Sequence, residues 1–263
     1  MKFSIITPNR NGERYLEQAL TSVARQREGG VEVEHIVVDA LSTDGSAAIL
    51  ERHAGEIRLL RERDSGPANA INKGLALAGG DVLAWLNADD FYQPHALARV
   101  AEVFTTNPGA ALCFGRCPIV NEDSVEIRHG ITRFKEFFFP LSSRFTIQSI
   151  NYISQPAMFF RREAFQSAGP LREDLKAAWD YELILRLWRQ GGAVHVIGAP
   201  LANFRWHAQS ISGQNFRRQF KEEFDVAVAD AGLLSLQTLL HLGVRYGIVG
   251  IYSFMAWLRT RQG

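Results

Sequence analysis

Short apolar runs alternate with amphipathic stretches through the first part of the chain. Each apolar run has the length of a buried strand. The runs are Phe3–Ile6, Glu34–Asp39, Ile57–Leu60 and Val82–Leu86. The stretch after Asn11 and Gly12 instead repeats at helical spacing, with Tyr15, Leu16, Ala19, Leu20 and Val23 on one face. Strands that alternate with helices predict a mostly parallel sheet flanked by helices, an α/β fold.

The second half of the chain is less regular. Further strands are predicted at Ala157–Phe160, Val194–Ile197 and Leu201–Trp206, and amphipathic helices at Trp179–Gln190 and Asn215–Ala229. The aromatic stretch Phe134–Phe139 favours neither helix nor strand. We therefore predict an α/β domain over residues 1–212 and a helical C-terminal extension over residues 213–263.

Polar residues directly follow three of the predicted strands. They are Thr7 with Pro8, Asp39, and the tetrapeptide Asn87–Asp90. Open α/β sheets bind their ligands at the carboxyl ends of parallel strands. These residues are therefore expected to meet at one edge of the sheet.

Asp89 and Asp90 form an adjacent acidic pair at a strand end. Two such carboxylates repel each other unless hydrogen-bond donors or a cation neutralise them. Hard divalent cations prefer these oxygens, and a diphosphate can complete the coordination shell. A solvated turn that caps the next helix is the competing interpretation.

Three other side chains have both a chemical and a purely structural interpretation. Asp39 can accept hydrogen bonds from a nucleobase or ribose, or serve as a turn acid. Asp180, near the start of a helix, can deprotonate a hydroxyl or simply interact with the helix dipole. His207 can bind a metal or a phosphate, or be structural.

Composition and missing motifs exclude several classes of protein. The net charge of +1 gives no nucleic-acid footprint, so no nucleic-acid partner is expected. The sequence lacks a GxGxxG after the first strand, a GxxxxGK[ST] loop and a GxSxG elbow. The two cysteines, Cys113 and Cys117, lack the CxxC spacing of zinc sites and are expected to be reduced and partly buried.

Together these segments resemble the family 2 glycosyltransferases, which adopt the GT-A fold. The resemblance covers roughly residues 3 to 212. It is carried by five motifs in the family's order, Ser4–Asn11, His35–Ser46, Ala70–Gly74 with Gly80–Asp90, Gln155–Arg162 and Trp179–Leu183. It implies an inverting transfer of a sugar from a nucleotide-sugar donor, most often UDP-linked in this family, to a hydroxyl acceptor.

The resemblance also implies residue roles. Those assigned to the nucleotide pocket are Thr7, Pro8, Arg10, Asp39, Asp64, Asn72, Asn87 and Ala88. Asn87-Ala88-Asp89 would be the family's DxD segment, so that Asp89, Asp90 and His207 hold Mn²⁺ or Mg²⁺ near the diphosphate. Asp180 would be the catalytic base, and one displacement would invert the anomeric carbon.

The chain departs from the family's pattern at two places. Asn87 replaces the first acid of the DxD segment, and Ala40-Leu41 stands where small or glycine residues are frequent. Two other functions remain open at this point. One is a catalytically silent nucleotide-sugar binding module, although such a relative would tend to lack Asp89 and Asp180. The other is a sugar nucleotidyltransferase, which would need a glycine-rich, basic loop after the first strand.

The last segment, Gly232–Leu258, is mostly apolar but is interrupted by Gln237, His241 and Arg245. No uncharged run in it reaches the ~18 residues of a spanning helix. Its apolar residues recur at helical spacing, which is compatible with peripheral membrane contact, a homodimer interface or packing on the domain. No signal peptide is visible at the N-terminus. We therefore expect a cytoplasmic protein, in contact with the inner face of the membrane if its acceptor is a lipid-linked glycan.

Overall fold

The computed structural model describes residues 1–207, 210 and 216–247. Its strands are β1 Lys2–Asn9, β2 Glu32–Asp39, β3 Arg58–Arg61, β4 Val82–Trp85, β5 Phe91–Tyr92, β6 Leu112–Phe114, β7 Ile119–Val120, β8 Glu126–Ile127, β9 Met158–Arg161, β10 Ala193–His195 and β11 Ala202–Arg205.

The helices follow the same chain order. They are α1 Glu13–Ala24, α2 Ser46–Arg52, α3 Pro67–Leu77, α4 Ala96–Thr106, α5 His129–Phe137, α6 Arg144–Ser149, α7 Arg162–Ala168, α8 Trp179–Trp188 and α9 Phe216–Ala231. Single turns of 3₁₀ helix occur at Arg25–Gly29 and Gln155–Ala157. A last helix begins at residue 236 and is described as far as residue 247.

In this described part, seven strands form the central sheet, in the order β10-β6-β9-β4-β1-β2-β3. The strands β4, β1, β2 and β3 are mutually parallel, and β10 is parallel to β6. Strand β9 runs antiparallel to both of its neighbours, β4 and β6. The predicted mostly parallel α/β sheet is therefore confirmed, with one reversed strand near its middle.

Strand β4 is buried along its whole length, as its uninterrupted apolar sequence indicates. Helix α3 packs directly on the neighbouring strand β1. A Cβ atom at Gly74 would lie 2.5 Å from Cγ2 of Ile6, so only glycine permits this close approach. Such packing fixes where β1 and β4 end, and with them the loops that follow.

A smaller sheet lies at the carboxyl edge of the large one. Its strand order is β5-β11-β7-β8 within the described residues. Strands β5, β7 and β8 have two residues each, too few for a periodic pattern, and the sequence did not predict them. The sequence pattern also missed α4 and β6. The aromatic stretch Phe134–Phe139 lies largely in α5.

Helix α9 belongs to the region assigned to the C-terminal extension, and it packs on α6 and α8. Asp230, near its end, accepts hydrogen bonds from Arg144 Nη2 at 2.6 Å and Gln148 Nε2 at 2.7 Å, and it also pairs with Arg189. The side chain of Asp230 is only 8% exposed. Helix α9 is thus tied to the domain by a partly buried ionic cluster.

Among residues 1–207, 210 and 216–247, no helix is long and apolar enough to cross a bilayer. Several leucines of the C-terminal segment face solvent, with Leu234 at 87% and Leu239 at 54% exposure. The predicted apolar face also includes Ile248, Ile251, Phe254, Met255 and Leu258, which lie outside the described residues.

Candidate active site

The carboxyl ends of β1, β2 and β4 meet at one edge of the sheet, as the sequence predicts. Asn9 at the end of β1 pairs with Asp39 at the end of β2. On the other side of β1, the backbone N–H of Leu86 donates to the carbonyl of Ile6 at 2.8 Å. The loops after the three strands, which contain Arg10, Ala40 and Asn87, are therefore neighbours.

Asp39 is completely buried at this edge, and its carboxylate is held from several sides. Asn9 Nδ2 donates to Oδ1 at 2.8 Å, and Ser42 donates through both its hydroxyl and its backbone N–H. The guanidinium of Arg61 lies 3.2 Å from Oδ2. Compensated by these donors and a cation, Asp39 fixes the shape of the loop beneath the neighbouring cleft.

A cleft of about 360 Å³ opens beside Asp39 and is lined by Arg10, Ala40, Leu41, Arg63 and Asp64. Two guanidinium groups in one cleft suit an anionic ligand such as a diphosphate. The backbone of Leu41 is left-handed, with φ of 56°, and its side chain is 42% exposed. A leucine in this region is strained, so the departure noted in the sequence shapes the wall of the cleft.

Other residues assigned to the nucleotide pocket face elsewhere in the structure. Thr7 is buried, and its hydroxyl lies 2.9 Å from Nε2 of His35 on the neighbouring strand. Burial lowers the pKa of His35 to about 3, so its ring is neutral. Asn72 donates to the carbonyl of Leu171 at 2.9 Å and to Glu173 Oε1 at 3.0 Å, which ties α3 to a later loop. Pro8 is partly buried in β1.

The tetrapeptide Asn87–Asp90 forms a turn, with the Asp90 N–H donating to the Asn87 carbonyl at 3.1 Å. The carboxylate of Asp90 is 1% exposed and accepts from Asn87 Nδ2 at 3.0 Å and from the backbone N–H of Arg205 at 2.9 Å. Burial, reinforced by the charge of Asp89, raises the pKa of Asp90 well above its ordinary range. Asp90 therefore faces the interior and joins the turn to β11.

Arg205, on β11, connects this turn to α1 and to the loop between β7 and β8. Its guanidinium donates to the carbonyls of Asp89 at 2.9 Å and Asn121 at 2.7 Å, and to Gln18 Oε1 at 2.7 Å. It also lies over the ring of Tyr15, 4.5 Å from the centroid. Its fully buried side chain thus fixes the turn against α1 and the small sheet.

Asp89 differs from Asp90 in its exposure, since its side chain is 27% exposed. Its Oδ2 lies 2.9 Å from Nε2 of His207. The Tyr15 ring is 5.5 Å from the His207 ring, and the buried Tyr15 hydroxyl has no hydrogen-bond partner among the described residues. Those residues contain no cluster of three or more His, Cys, Asp or Glu side chains suited to a metal ion. The pair Asp89 and His207 therefore offers two potential ligands to a metal, and the rest of the shell would have to come from a ligand.

Asp180 lies in the first turn of α8, where its Oδ1 accepts from the N–H of Tyr181 at 2.8 Å. Burial raises the pKa of this carboxyl, while the Tyr181 hydrogen bond and the charge of Lys135 oppose the rise. Lys135, on α5, also donates to Ser154 Oγ at 3.1 Å. Gln155, the residue after Ser154, accepts from Asn87 Nδ2 at 3.2 Å. Contacts through Lys135, Ser154 and Gln155 therefore connect the surroundings of Asp180 to the Asn87–Asp90 turn.

The sequence interpretation assigned no role to Arg205, Lys135, Glu222 or Glu223. Arg205 stands two residues before His207 at the end of a predicted strand, and that position is the one available signal. Lys135 lies in the aromatic stretch that favoured no element. Glu222 and Glu223 have the spacing of an ordinary charged helix, so only the tertiary structure brings them to Asp180.

A family model described as glycosyl transferase family 2 matches residues 4–169 of the chain. The chain is 33% identical over 191 residues to a PGL/p-HBAD biosynthesis glycosyltransferase of Mycobacterium bovis, covering 69% of this chain and 68% of that protein. It is 29% identical to an uncharacterized glycosyltransferase of Nostoc sp. over 79% of this chain and 65% of that protein. A third relative, the O-antigen biosynthesis protein RfbC of Myxococcus xanthus, is 33% identical over 77% of this chain but only 16% of its own length.

Solved structures share the fold. TarS of S. aureus, in complex with UDP-GlcNAc, superposes with a TM-score of 0.68 at 17% identity, covering 90% of this chain and 68% of that one. The mannosyltransferase PcManGT of Pyrobaculum calidifontis, in complex with GDP-Man and Mn²⁺, gives 0.65 at 18% identity over 99% and 79%. With the family match over residues 4–169, these findings show that the chain belongs to glycosyl transferase family 2.

Proposed function

We propose that this protein is an inverting glycosyltransferase that moves a sugar from a nucleotide-sugar donor to a hydroxyl acceptor, with Asp180 as the general base. The observation that carries the proposal is the partly buried carboxyl of Asp180, whose pKa is raised by desolvation and whose surroundings lead to the Asn87–Asp90 turn. A raised pKa suits a group that must take a proton from a hydroxyl near neutral pH.

The cleft lined by Arg10, Leu41, Arg63 and Asp64 is the proposed site of the nucleotide. Its guanidinium groups would pair with diphosphate oxygens, and Asp39 would fix the loop that faces the nucleobase. We favour a UDP-linked donor because TarS was solved with UDP-GlcNAc. The GDP-Man complex of PcManGT makes a guanine donor the competing outcome, which a donor panel resolves.

Asp89 and His207 fit the binding of Mn²⁺ or Mg²⁺ together with a diphosphate. One carboxylate and one imidazole leave most of the coordination shell to donor oxygens and water. Asp89 is the better ligand of the acidic pair because it is partly exposed, whereas both oxygens of Asp90 are engaged inside. When bound there, such a cation would supply Lewis-acid stabilisation of the leaving nucleoside diphosphate.

The chemistry assigned to this chain's residues is a single displacement. Asp180 accepts the proton of the acceptor hydroxyl while the acceptor oxygen forms a bond to the anomeric carbon. The bond from that carbon to the diphosphate oxygen breaks, and the nucleoside diphosphate leaves with the electron pair. Attack from the face opposite the leaving group inverts the anomeric configuration.

The relatives point to glycan assembly in bacteria, since one is named for O-antigen and another for PGL/p-HBAD biosynthesis. We propose a glycan or a lipid-linked acceptor in such a pathway. The exposed leucines of the C-terminal segment accord with an acceptor held at a membrane surface.

The test is a donor panel. Purified protein is incubated with UDP- and GDP-sugars, a set of hydroxyl acceptors and Mn²⁺ or Mg²⁺, and nucleoside diphosphate release is measured. The expected result is release from one donor, abolished by a chelator, by Asp89→Ala and by Asp180→Asn. The anomeric configuration of the product, read by NMR, must be opposite to that of the donor.

The alternative function, a catalytically silent binding module, predicts the opposite result. It would bind one donor tightly, release no diphosphate with any acceptor, and behave identically after Asp180→Asn. Asp174→Asn is the matched control, because Asp174 lies in the loop before α8, is 65% exposed and should be dispensable. Loss of turnover in this control would point to a general disturbance of the loop instead.

A further inference from the structure

Two adjacent acids of α9, Glu222 and Glu223, reach the start of α8 from outside the region matched by the family model. Glu222 Oε2 accepts hydrogen bonds from the backbone N–H groups of Lys176 at 2.9 Å, Ala177 at 2.8 Å and Ala178 at 3.3 Å. Ala178 is the N-cap of α8 and has no side chain that can cap the helix. Glu222 therefore binds the N–H of the N-cap residue and the two N–H groups before it, and it ties the segment that leads into α8 to α9.

The charge of Glu222 also matches its position. Helix N-termini carry a partial positive charge, so a carboxylate there is stabilising. Arg218, one turn earlier on α9, lies 3.2 Å from Glu222 Oε1 and orients the side chain, which is 14% exposed. The backbone that carries Asp180 is thus anchored by a group from a separate helix.

Glu223 points into the domain and is 4% exposed. Its Oε1 accepts from Asn151 Nδ2 and Gln219 Nε2, both at 3.1 Å. Burial and the charge of Asp180 raise its pKa to about 7, against these hydrogen bonds and Lys135. The charge of Asp180 therefore disfavours the ionised form of Glu223, and the two carboxyls interact through their charges.

The other groups facing this pair come from four elements. Lys135 on α5 is the cation that acts on both carboxyls. The charge of Glu223 contributes to raising the pKa of the Tyr181 phenol on α8, and this hydroxyl donates to the carbonyl of Ile147. Arg144 on α6 pairs with Asp230. His241 on the last helix lies 5.8 Å from the Tyr181 ring, and burial lowers its pKa, which favours the neutral form.

We propose that Glu222 and Glu223 are positioning residues for Asp180, with Glu222 anchoring the start of α8 and the buried Glu223, on the same helix and directed toward the domain, acting on the Asp180 carboxylate through its charge. This inference rests on the proposed role of Asp180 as the base. As the pH rises through the ionisation of Glu223, the new negative charge makes Asp180 a stronger base. The rate of transfer should therefore step upward near pH 7.

The first experiment compares the pH profile of kcat for wild type and Glu223→Gln, with Asp225→Asn as the matched control. Asp225 lies two residues further along α9, is 53% exposed and pairs with Lys221. Glu223→Gln keeps the acceptor for Asn151, so it should match wild type near pH 6 and lose the upward step by pH 8. Asp225→Asn should keep the step. An equal fall at every pH, or an unchanged profile, overturns the positioning role.

A second measurement does not need turnover. Thermal unfolding is followed at pH 5 and pH 8 for wild type, Glu223→Gln, Asp180→Asn and the double variant. A group whose pKa is raised on folding destabilises the native state once the pH exceeds its unfolded value. Glu223→Gln should therefore raise Tm at pH 8 and raise it much less at pH 5, which lies only just above the ordinary pKa of a glutamate. The gain at pH 8 should shrink in the Asp180→Asn background, because the charge that opposes Glu223 is gone.

The two experiments separate two kinds of failure. Additive Tm changes at pH 8 show that the two carboxyls are not coupled, and they overturn this inference whatever the activity. If instead coupling is found and no donor or acceptor gives turnover, the assignment of Asp180 as a base fails, and the positioning role fails with it. Coupling together with the pH-dependent loss in Glu223→Gln supports both.

The role of Glu222 is tested by Glu222→Gln and Glu222→Ala. The glutamine keeps an acceptor oxygen for the three N–H groups, so it should retain most of kcat, while the alanine should lose it with little change in donor affinity. A fall in donor affinity equal to the fall in kcat, or equal effects of both variants, overturns the anchoring role.

Discussion

The cleft beside Asp39, here the donor side, and the surroundings of Asp180 and Glu223, here the base side, hold these acids differently. On the donor side, Asp39 is surrounded by Asn9, Ser42 and the guanidinium of Arg61. On the base side, burial raises the pKa of Asp180, and that of Glu223 to about 7. Surrounding donors and a cation make an acid a fixed part of a binding wall, whereas poorly compensated burial leaves it ready to take a proton.

The largest effect is expected from removing the proposed base, Asp180, alone. Asp180→Asn preserves the shape of the side chain but cannot accept a proton, so kcat should fall by roughly 10²–10⁴-fold, the usual contribution of a general base. Donor affinity, measured by calorimetry, should remain within about twofold of wild type because the cleft is intact. A parallel loss of donor affinity would mean that the two sides are not separable.

Arg205→Met tests the scaffold on which the donor side rests. Removing this buried guanidinium leaves the carbonyls of Asp89 and Asn121 without a donor, and we expect a loss of about 3–5 kcal/mol in the free energy of unfolding by urea. Arg14→Met is the comparison, since Arg14 pairs with Glu122 at a 63% exposed position and its replacement should cost far less stability than that of Arg205. Similar costs for the two variants would contradict the role of Arg205 as a hub.

Arg10→Ala complements Asp180→Asn from the donor side. Loss of a charge-assisted contact to the diphosphate, worth about 1.5–3 kcal/mol, should raise the donor Kd by roughly 10–100-fold. The transfer rate at saturating donor should change far less. Arg10→Lys should lie in between, and Arg25→Ala, on an exposed part of the 3₁₀ turn, should match wild type. An unchanged Kd would place the nucleotide elsewhere.

Lys135→Met tests the electrostatics of the base side. The charge of Lys135 lowers the pKa of Asp180, so removing it should let that pKa rise. Because the base must be deprotonated, the acid limb of the kcat profile should move to higher pH, with a greater loss at pH 5.5 than at pH 8. Arg133→Met removes an exposed charge two residues away and should leave the limb in place. A shift of the acid limb to lower pH would contradict the assignment that the charge of Lys135 lowers the pKa of Asp180.

The donor side shows how much of the site the sequence could predict. Strands β1, β2 and β4 are continuous apolar runs, so their ends, and the placement of Arg10, Asp39 and Asp89 at one edge, follow from the pattern. Strands of two residues have no pattern, and the small sheet that holds Arg205 was therefore missed. The side-chain directions of Thr7 and Asn72 depend on His35 and Leu171, which no local spacing reveals.

The base side shows a different limit. Asp180 was a candidate from its place at a helix start, and the resemblance assigned it the role of base, because an acid at a helix start is common and proves little alone. Glu222 and Glu223 are separated from it by more than forty positions, and their effect depends on how α9 packs on α8. Contacts between segments that are distant along the chain leave no periodic pattern in the sequence.

The smallest effect on turnover is expected from the exposed leucines of the C-terminal segment, because their side chains face solvent and not either group of acids. Leu234 and Leu239 are 87% and 54% exposed, so replacing both with serine should change folding stability by little more than about 0.5 kcal/mol per site. If this segment contacts lipid, the double variant should lose most of its co-sedimentation with anionic liposomes while keeping its kcat on a water-soluble acceptor. Leu59→Ser, at a 43% exposed position on β3, is the matched control. Unchanged liposome binding, with a shift from dimer to monomer in analytical ultracentrifugation, would assign these leucines to a second copy of the chain instead.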